Sequence, residues 1–193
     1  MHSSRINPED SIVLFADLQQ GIADLPLTIS PSRLGKGVRG LAKLAKLFDI
    51  PVLVTAVAGE EGKAKILPEI SEELGDLPIH YRTTADSLRN DSILSAIEAT
   101  GRKTILISGV ATELAVQLPA LTGVDLGYRT FVVIDACGGT SQRTERAALG
   151  RIIANGGSTV SVIALAGEMA GDFAQPKAQA AIGIIFEMAV AGD

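Results

Sequence analysis

The sequence predicts an α/β fold, a Rossmann-like, doubly wound, six-stranded and mostly parallel sheet with helices on both faces. Two observations support this prediction. Short β-branched runs alternate with longer segments of helical period, and several runs are apolar at nearly every position, as strands buried on both faces must be. A chain of 193 residues is long enough for one sizeable core, so we expect residues 1–193 to form a single domain.

Six runs are predicted strands: SIVLFA (11–16), PVLVTA (51–56), LPIHY (77–81), TILISG (104–109), TFVVID (130–135) and STVSVIA (158–164). Between and after them, helical spacing of apolar residues predicts helices over 31–48, 91–100, 112–127 and 140–155, with a short turn near Glu168. The C-terminal segment QAAIGIIFEMAVA is more apolar than a solvated terminal helix needs to be. It could cover the core or pack on another subunit, and we favour the subunit contact, which predicts a homo-oligomer.

Composition narrows the classes of partner. The net charge is -5 and Lys and Arg are scattered, which disfavours binding to nucleic acid or to an anionic membrane and favours a small-molecule ligand. No apolar stretch reaches membrane-spanning length without a glycine or a charge. The single cysteine, Cys137, allows no intrachain disulfide, so we expect a reducing, cytoplasmic location.

Several familiar motifs are excluded by their context. GKGVRG (35–40) matches the dinucleotide fingerprint, but its glycines lie inside a helical pattern and not where the first strand meets a helix. Close helix packing explains them better. GEEGKA (59–64) lacks the spacing of a P-loop, and no G-x-S-x-G elbow is present. His2 and His80 stand in no metal-binding pair, and His80 is expected in a strand at the sheet edge. We therefore predict no cofactor and no bound metal.

Three segments at predicted strand ends form the candidate site. Asp17, in DLQQG, follows the first strand, and GVATELAV (109–116) follows the fourth. In the doubly wound order 3-2-1-4-5-6 these two strands are neighbours, so Asp17 would face the strand-4 loop across the switch point. The backbone N–H groups of residues 112–115 would stabilise an anion there. Arg82, at the end of the third strand, would keep the carboxylate ionised. Each feature also has an ordinary alternative. Asp17 could be a turn residue or a helix cap, residues 112–115 could be an ordinary helix start, and Arg82 could be a surface arginine.

These residues resemble the isochorismatase-like cysteine hydrolase superfamily. The similarity lies in D-x-Q after strand 1, a basic residue after strand 3 and G-V-x-T-[DE]-x-C-V after strand 4, and it covers nearly the whole chain. GEMAGDF (167–173) is similar to a stretch of one bacterial branch that assembles into octamers. The resemblance implies that Asp17 is the base and that Arg82, in place of the usual lysine, steers the substrate and stabilises charge. It also implies a cis peptide between Val110 and Ala111, and substrate contacts from Gln19, Val110, Ala111 and Thr112.

Ala115 stands where the resemblance places the cysteine nucleophile. A methyl group forms no thioester, so the usual cysteine mechanism is not possible at this position. Four explanations are open. Ala115 is an engineered knock-out, or the protein has lost catalysis, or its chemistry needs no thiol, or Cys137 acts as a relocated nucleophile. The chemistry without a thiol is enol-ether hydrolysis with Asp17 as general acid, as in the isochorismatases of the family.

The predicted function is hydrolysis of a small molecule, an amide, nitrile, ester or enol ether, in a pocket formed by Asp17, Gln19, Arg82 and the 110–115 loop. The competing class is a catalytically inactive member that binds a small molecule or serves in assembly. The resemblance to the octamer-forming branch predicts a homo-oligomer, with an octamer as the specific expectation.

Overall fold

The computed structural model describes residues 5–58 and 63–190. It contains a six-stranded sheet in the order β3-β2-β1-β4-β5-β6, in which every neighbouring pair is parallel. The strands are β1 (Ser11–Ala16), β2 (Val52–Val57), β3 (Ile79–Arg82), β4 (Thr104–Val110), β5 (Arg129–Gly138) and β6 (Ser158–Val160). The predicted fold class and strand order are confirmed, and β1 and β4 lie side by side at the point where the order reverses.

Seven α-helices connect or follow the strands within the described ranges: α1 (Pro31–Leu47), α2 (Pro68–Leu74), α3 (Asp91–Ala99), α4 (Gln117–Asp125), α5 (Gln142–Ala154), α6 (Val162–Ala170) and α7 (Pro176–Ala189). Sequence reasoning misses α2. This helix is seven residues long, has no side-chain cap at its start and buries only Ile70, so its apolar periodicity is too weak to detect.

The predicted extent of the sixth strand is wrong beyond residue 160, because α6 begins at Val162. Two side chains start this helix. The Ser161 hydroxyl accepts from the Ala164 N–H, and both carboxylate oxygens of Asp135 accept from the Val162 N–H at 2.9 and 3.0 Å. The β-branched run STVSVI is typical of a strand, but these caps favour a helix after Ser161.

Side chains on the two faces of the sheet enter separate hydrophobic cores. Val13 and Phe15 of β1 pack with residues of α1, α6 and α7, whereas Ile12 and Leu14 pack with residues of α3, α4 and α5. All six positions of β1 are buried. This double burial explains why the strand sequences are apolar at almost every position instead of alternating.

The glycines of GKGVRG serve helix packing, as the sequence context predicts. A Cβ placed on Gly37 would lie 1.8 Å from the carbonyl oxygen of Asp135 in β5. A Cβ on Gly40 would lie 2.9 Å from both Met188 Sδ and Val162 Cγ1. Helix α1 can therefore lie against β5, α6 and α7 only because these positions carry no side chain.

Some predictions fall outside the described residues. His2 and most of the GEEGKA segment, residues 59–62, belong to this group. Among the residues that the structure describes, no helix is long and apolar enough to cross a membrane.

Candidate active site

Asp17 lies directly after β1, at the carboxyl edge of the sheet and next to the end of β4. Its predecessor Ala16 pairs with Gly109 of β4. A Cβ on Gly109 would lie 2.4 Å from the Ala16 carbonyl oxygen, so the absence of a side chain lets the two strand ends come together. Asp17 has a φ of 56°, a conformation that Asp tolerates better than most residues, and its N–H donates to the Thr55 carbonyl at 3.0 Å.

Arg82 forms a two-point ion pair with Asp17. It is the last residue of β3, and its backbone pairs with Val57 of β2, so its side chain spans the end of β2 to reach β1. The Arg82 Nε donates to Asp17 Oδ1 at 3.0 Å, and Nη2 donates to Oδ2. Nη1 donates to the Thr84 carbonyl. Asp17 is 2% exposed and Arg82 is 8% exposed, so the pair is shielded from solvent.

Burial raises the pKa of the Asp17 carboxyl above its ordinary value. The hydrogen bond and the positive charge of Arg82 act in the opposite direction but do not cancel this effect. The carboxylate is therefore oriented by a cation and at the same time sits in surroundings that ease its protonation. A carboxyl in this condition is suited to proton transfer.

Gln19 connects the segment that follows β1 to the end of β2 through hydrogen bonds. Its side-chain amide donates to the Val57 carbonyl at 3.0 Å, and its amide oxygen accepts from the Val57 N–H at 2.9 Å. Its backbone forms an antiparallel bridge with Ile66. Because Val57 is the β2 residue paired with Arg82, Gln19 supports the site through the backbone. A direct contact of Gln19 with a substrate stays a prediction.

The peptide bond between Val110 and Ala111, in the strand-4 loop, is cis, as the resemblance implies. The chain then makes a π-type turn, Thr112–Val116, before α4. The expectation that residues 112–115 all present free N–H groups is wrong in part. Leu114 and Ala115 both donate their N–H to the Ala111 carbonyl at 3.0 Å, because this oxygen precedes the turn and accepts its first bonds.

Ala115 is 3% exposed, and its methyl group is covered by the surrounding protein. Leu114, the residue before it, points outward and is 55% exposed. Ala115 thus lies on the inner side of a loop whose strand is the immediate neighbour of the one that carries Asp17. The assignment of this position to a nucleophile stays a prediction.

Sequence reasoning missed the side chains that attach this loop to α5. Thr112 Oγ1 donates to Glu145 Oε1 at 2.9 Å. Glu113 Oε1 accepts from the N–H and the hydroxyl of Thr140, both at 3.0 Å, and from the hydroxyl of Thr144. A signal was present, because Thr112 and Glu113 follow β4 and Thr140 follows β5, and neighbouring parallel strands end at the same edge.

Cys137 does not follow β5, as the sequence interpretation assumed, but lies inside it. Its backbone pairs with Gly109, and its side chain is 3% exposed within the core beneath α3, α4 and α5. Burial raises the pKa of the thiol to about 12, so it stays protonated at neutral pH. These surroundings disfavour Cys137 as a relocated nucleophile.

His80 lies in β3, the edge strand, and its backbone pairs with Thr55, as the sequence predicts. Within residues 5–58 and 63–190, no group of three or more His, Cys, Asp and Glu side chains is arranged to hold a metal ion.

Fold and site together define a class, a doubly wound α/β protein with a buried carboxylate–guanidinium pair at its switch point. Comparison with known proteins makes the class specific. The model of the isochorismatase domain matches residues 11–164. The probable hydrolase YcaC of Escherichia coli is 31% identical over 170 residues, which cover 88% of this chain and 82% of that protein. The chain belongs to the isochorismatase family.

Among the solved structures that are similar over nearly the whole chain are two YcaC proteins. The E. coli ycaC gene product, described as an octameric hydrolase of unknown specificity, has a TM-score of 0.88 and 30% identity, covering 98% of this chain and 93% of that one. YcaC from Pseudomonas aeruginosa, solved with hexane-2,5-diol and covalent acrylamide, has a TM-score of 0.87 and 28% identity, covering 95% and 93%.

Proposed function

We propose that the protein is a small-molecule hydrolase that uses Asp17 as its proton-transferring group and needs no thiol. Arg82 orients Asp17, and the 110–115 loop forms the adjoining wall, with Ala115 at the position where related hydrolases carry a cysteine. The observation that supports this most strongly is the buried Asp17–Arg82 pair beside the strand-4 loop. Burial of the carboxyl raises its pKa, which favours a role in proton transfer.

The substrate class that fits best is an enol ether. Amide and nitrile hydrolysis by this family requires an attacking thiolate, whereas an enol ether needs a proton and a water molecule. Asp17 would protonate the terminal vinyl carbon and produce an oxocarbenium ion. Water would add to this ion and return a proton to Asp17, and loss of the alcohol would leave a carbonyl product. The buried Cys137 offers no competing nucleophile.

Arg82 has two effects in this mechanism. Its paired N–H groups fix the plane of the carboxylate, and its charge lowers the pKa that burial raises. Protonation of Asp17 removes the negative charge that attracts Arg82 and so weakens the contact between them. We infer that substrate binding shifts this contact, so that protonation and substrate binding occur together.

The test uses a panel of one enol ether, one ester, one amide and one nitrile with three proteins: the native chain, Ala115→Cys and Asp17→Asn. We expect the native chain to hydrolyse only the enol ether, and Asp17→Asn to lose at least about a hundredfold in rate, as loss of a general acid does. We expect Ala115→Cys to gain amide or nitrile hydrolysis. Mass spectrometry after acrylamide treatment should find the adduct at position 115 and leave Cys137 unmodified.

An unchanged rate in Asp17→Asn would contradict the proposed role of that residue. If neither the native chain nor Ala115→Cys hydrolyses any member of the panel, a catalytically inactive, ligand-binding family member is the better description. Failure of acrylamide to modify Ala115→Cys would contradict the assignment of this position to the nucleophile.

We further propose a homo-oligomer in which residues 1–193 form one domain, as expected for a cytoplasmic protein of this family. Two facts support the assembly. The E. coli relative with a TM-score of 0.88 is described as octameric. The outer side of α7 carries Phe186, which is 63% exposed, and Val190, which is 77% exposed and follows the helix directly. Such residues are unfavourable in water and favourable at a contact between subunits.

A further inference from the structure

We propose that Thr112, Glu113, Thr140, Thr144 and Glu145 form a cluster of positioning residues that fixes the strand-4 loop against the start of α5. The inference rests on the proposed function in one respect, since it treats this loop as a wall of the active site. None of the five residues is assigned a catalytic role.

The cluster consists of two reciprocal attachments. One carboxylate, Glu145, belongs to α5 and accepts a hydrogen bond from Thr112 of the loop at 2.9 Å. The other, Glu113, belongs to the loop and accepts from Thr140 and Thr144, which lie before and within the first turn of α5. Because each of the two elements contributes at least one donor and one acceptor, the loop can neither slide nor rotate without breaking a bond to a charged group.

The close approach of the two elements depends on Gly139. A Cβ at this position would lie 2.6 Å from Glu145 Cβ and 3.0 Å from Glu113 Oε1. The segment that leaves β5 therefore passes between the two carboxylate side chains with no room for a side chain of its own. The backbone of this segment is held from its other side, where the Thr28 N–H donates to the Gly139 carbonyl at 2.9 Å.

The Glu113 carboxylate lies where a negative charge is favourable. Burial acts to raise the pKa of its carboxyl, but the hydrogen bonds from Thr144, from its own backbone N–H and from Thr140 outweigh burial and lower the pKa. Glu113 is therefore ionised at neutral pH, and it lies at the N-terminal end of α5, where a negative charge is favourable. Protonation would weaken the attachment only in acid.

The position of the loop matters because Thr112 and Ala115 belong to the same turn. A shift of this turn relative to β5 changes the distance between position 115 and Asp17, and displacements of about 1 Å at an active site can cost roughly a hundredfold in rate. Position 115 also lies in the first turn of the helical segment that begins at Thr112 and continues into α4, where the helix dipole favours a negative charge.

The test places a thiol at the centre of the loop as a reporter. In an Ala115→Cys background, the rate of alkylation by iodoacetamide is followed against pH, with adducts located by mass spectrometry. If the loop is held in place, the introduced thiol should titrate below the ordinary cysteine value of about 8.5. Thr144→Val should raise this midpoint and slow alkylation at pH 7 by roughly three- to tenfold, because the loop then loses its fixed orientation.

Thr144→Val removes one hydroxyl and leaves the charge of Glu113 in place, so a change in thiol pKa reports orientation and not net charge. Thr144→Ser keeps the hydroxyl and should restore the alkylation profile. Thr104→Val is the matched control, because Thr104 also donates its hydroxyl to a carboxylate, Asp10 Oδ2 at 3.0 Å, but at the opposite end of β4. It should reduce stability without moving the thiol midpoint. Thr140→Val provides a second variant if Thr144→Val does not fold.

An alkylation profile that is the same in folded Thr144→Val and in its parent overturns the proposal. So does an ordinary thiol pKa in the parent, or a midpoint that moves equally in Thr104→Val. The measurement needs no substrate. A shifted midpoint without hydrolysis of any substrate would therefore support the positioning cluster and contradict the proposed function, whereas hydrolysis with an unshifted midpoint would do the reverse.

Discussion

Asp17 and Arg82 show how two residues 65 positions apart in sequence become one chemical unit. Asp17 turns out of β1 with a positive φ, and Arg82 reaches across the end of β2 to meet it. Burial and the ion pair act on the Asp17 pKa in opposite directions, and burial dominates. A change at Arg82 should therefore be visible in the pH dependence of the reaction.

We predict that Arg82→Met moves the pH profile of enol-ether hydrolysis to higher pH. Removal of the cation leaves burial unopposed, so the pKa of Asp17 rises further. A general acid works while protonated, so its activity is lost as the pH rises through its pKa, and the alkaline limb should move upward. The measurement is kcat/KM against pH. Arg89→Met is the control, because it also removes an arginine that pairs with a carboxylate. The Nε of Arg89 lies 3.5 Å from Oδ2 of Asp86, but the Arg89 side chain is exposed.

If the acidic limb moves to higher pH instead, the acid role of Asp17 is contradicted, because a base is active only when ionised and loses activity as the pH falls through its pKa. An unchanged limb would show that another group titrates.

At the scale of elements, α1 and the sheet are in closer contact than a helix with side chains on that face could be. Gly37 faces the backbone of β5, where the ladder with β4 shifts register between Ile107 and Gly109. The shift places several β5 residues opposite Ser108 and brings Asp135 to the start of α6. The same irregularity therefore sets the positions of α1 and α6.

We predict that Gly37→Ala lowers the free energy of unfolding by about 3 kcal/mol or prevents folding, since the new methyl group would overlap the Asp135 carbonyl. Gly150→Ala is the matched control. Gly150 lies inside α5, and a Cβ there would meet no atom within 4 Å. It should raise stability by about 0.5–1 kcal/mol through helix propensity alone.

Both changes in stability are to be measured by urea denaturation followed by circular dichroism. Equal effects of the two substitutions would contradict the packing role of Gly37 and would reopen a ligand-binding interpretation of GKGVRG.

At the scale of the whole molecule, the sheet is covered on both faces, but the covering layer ends in an apolar surface. The inner side of α7 buries Ala178, Ala181 and Ile184. Its outer side leaves Phe186 exposed, and Val190 beyond it is exposed too. The helix is thus more apolar than its contacts with this chain require, which is the pattern expected of a subunit contact.

We predict that Phe186→Glu lowers the mass of the proposed assembly, measured by sedimentation velocity, because a buried, unpaired carboxylate is strongly unfavourable at an interface. Leu126→Glu is the control, since Leu126 is 50% exposed and lies just beyond α4. Its substitution should leave the mass unchanged. A Phe186→Glu protein with the mass of the native assembly would place the contact elsewhere. Circular dichroism establishes that both variants are folded.

The sequence by itself determined the fold class, the strand order and the strands that carry the site. These follow from local properties, since double burial produces apolar runs and parallel strands end at one edge. It also showed correctly that GKGVRG lies within a helix, because a motif can be judged by the segment around it. Helix α2 was missed because it is short and buries only Ile70, so it shows no periodicity. The boundary at Val162 was missed because it depends on capping contacts from Ser161 and Asp135.

Only the tertiary structure decided which polar groups meet. It paired Arg82 with Asp17 in two-point geometry, engaged the amide of Gln19 with Val57, and placed Cys137 in the core and not at the sheet edge. It also joined Thr112 and Glu113, after β4, to Glu145 and Thr144 of α5. The physical reason is that burial and hydrogen-bond partners depend on distances between elements, which are set by packing of distant segments, whereas periodicity depends on neighbours along the chain.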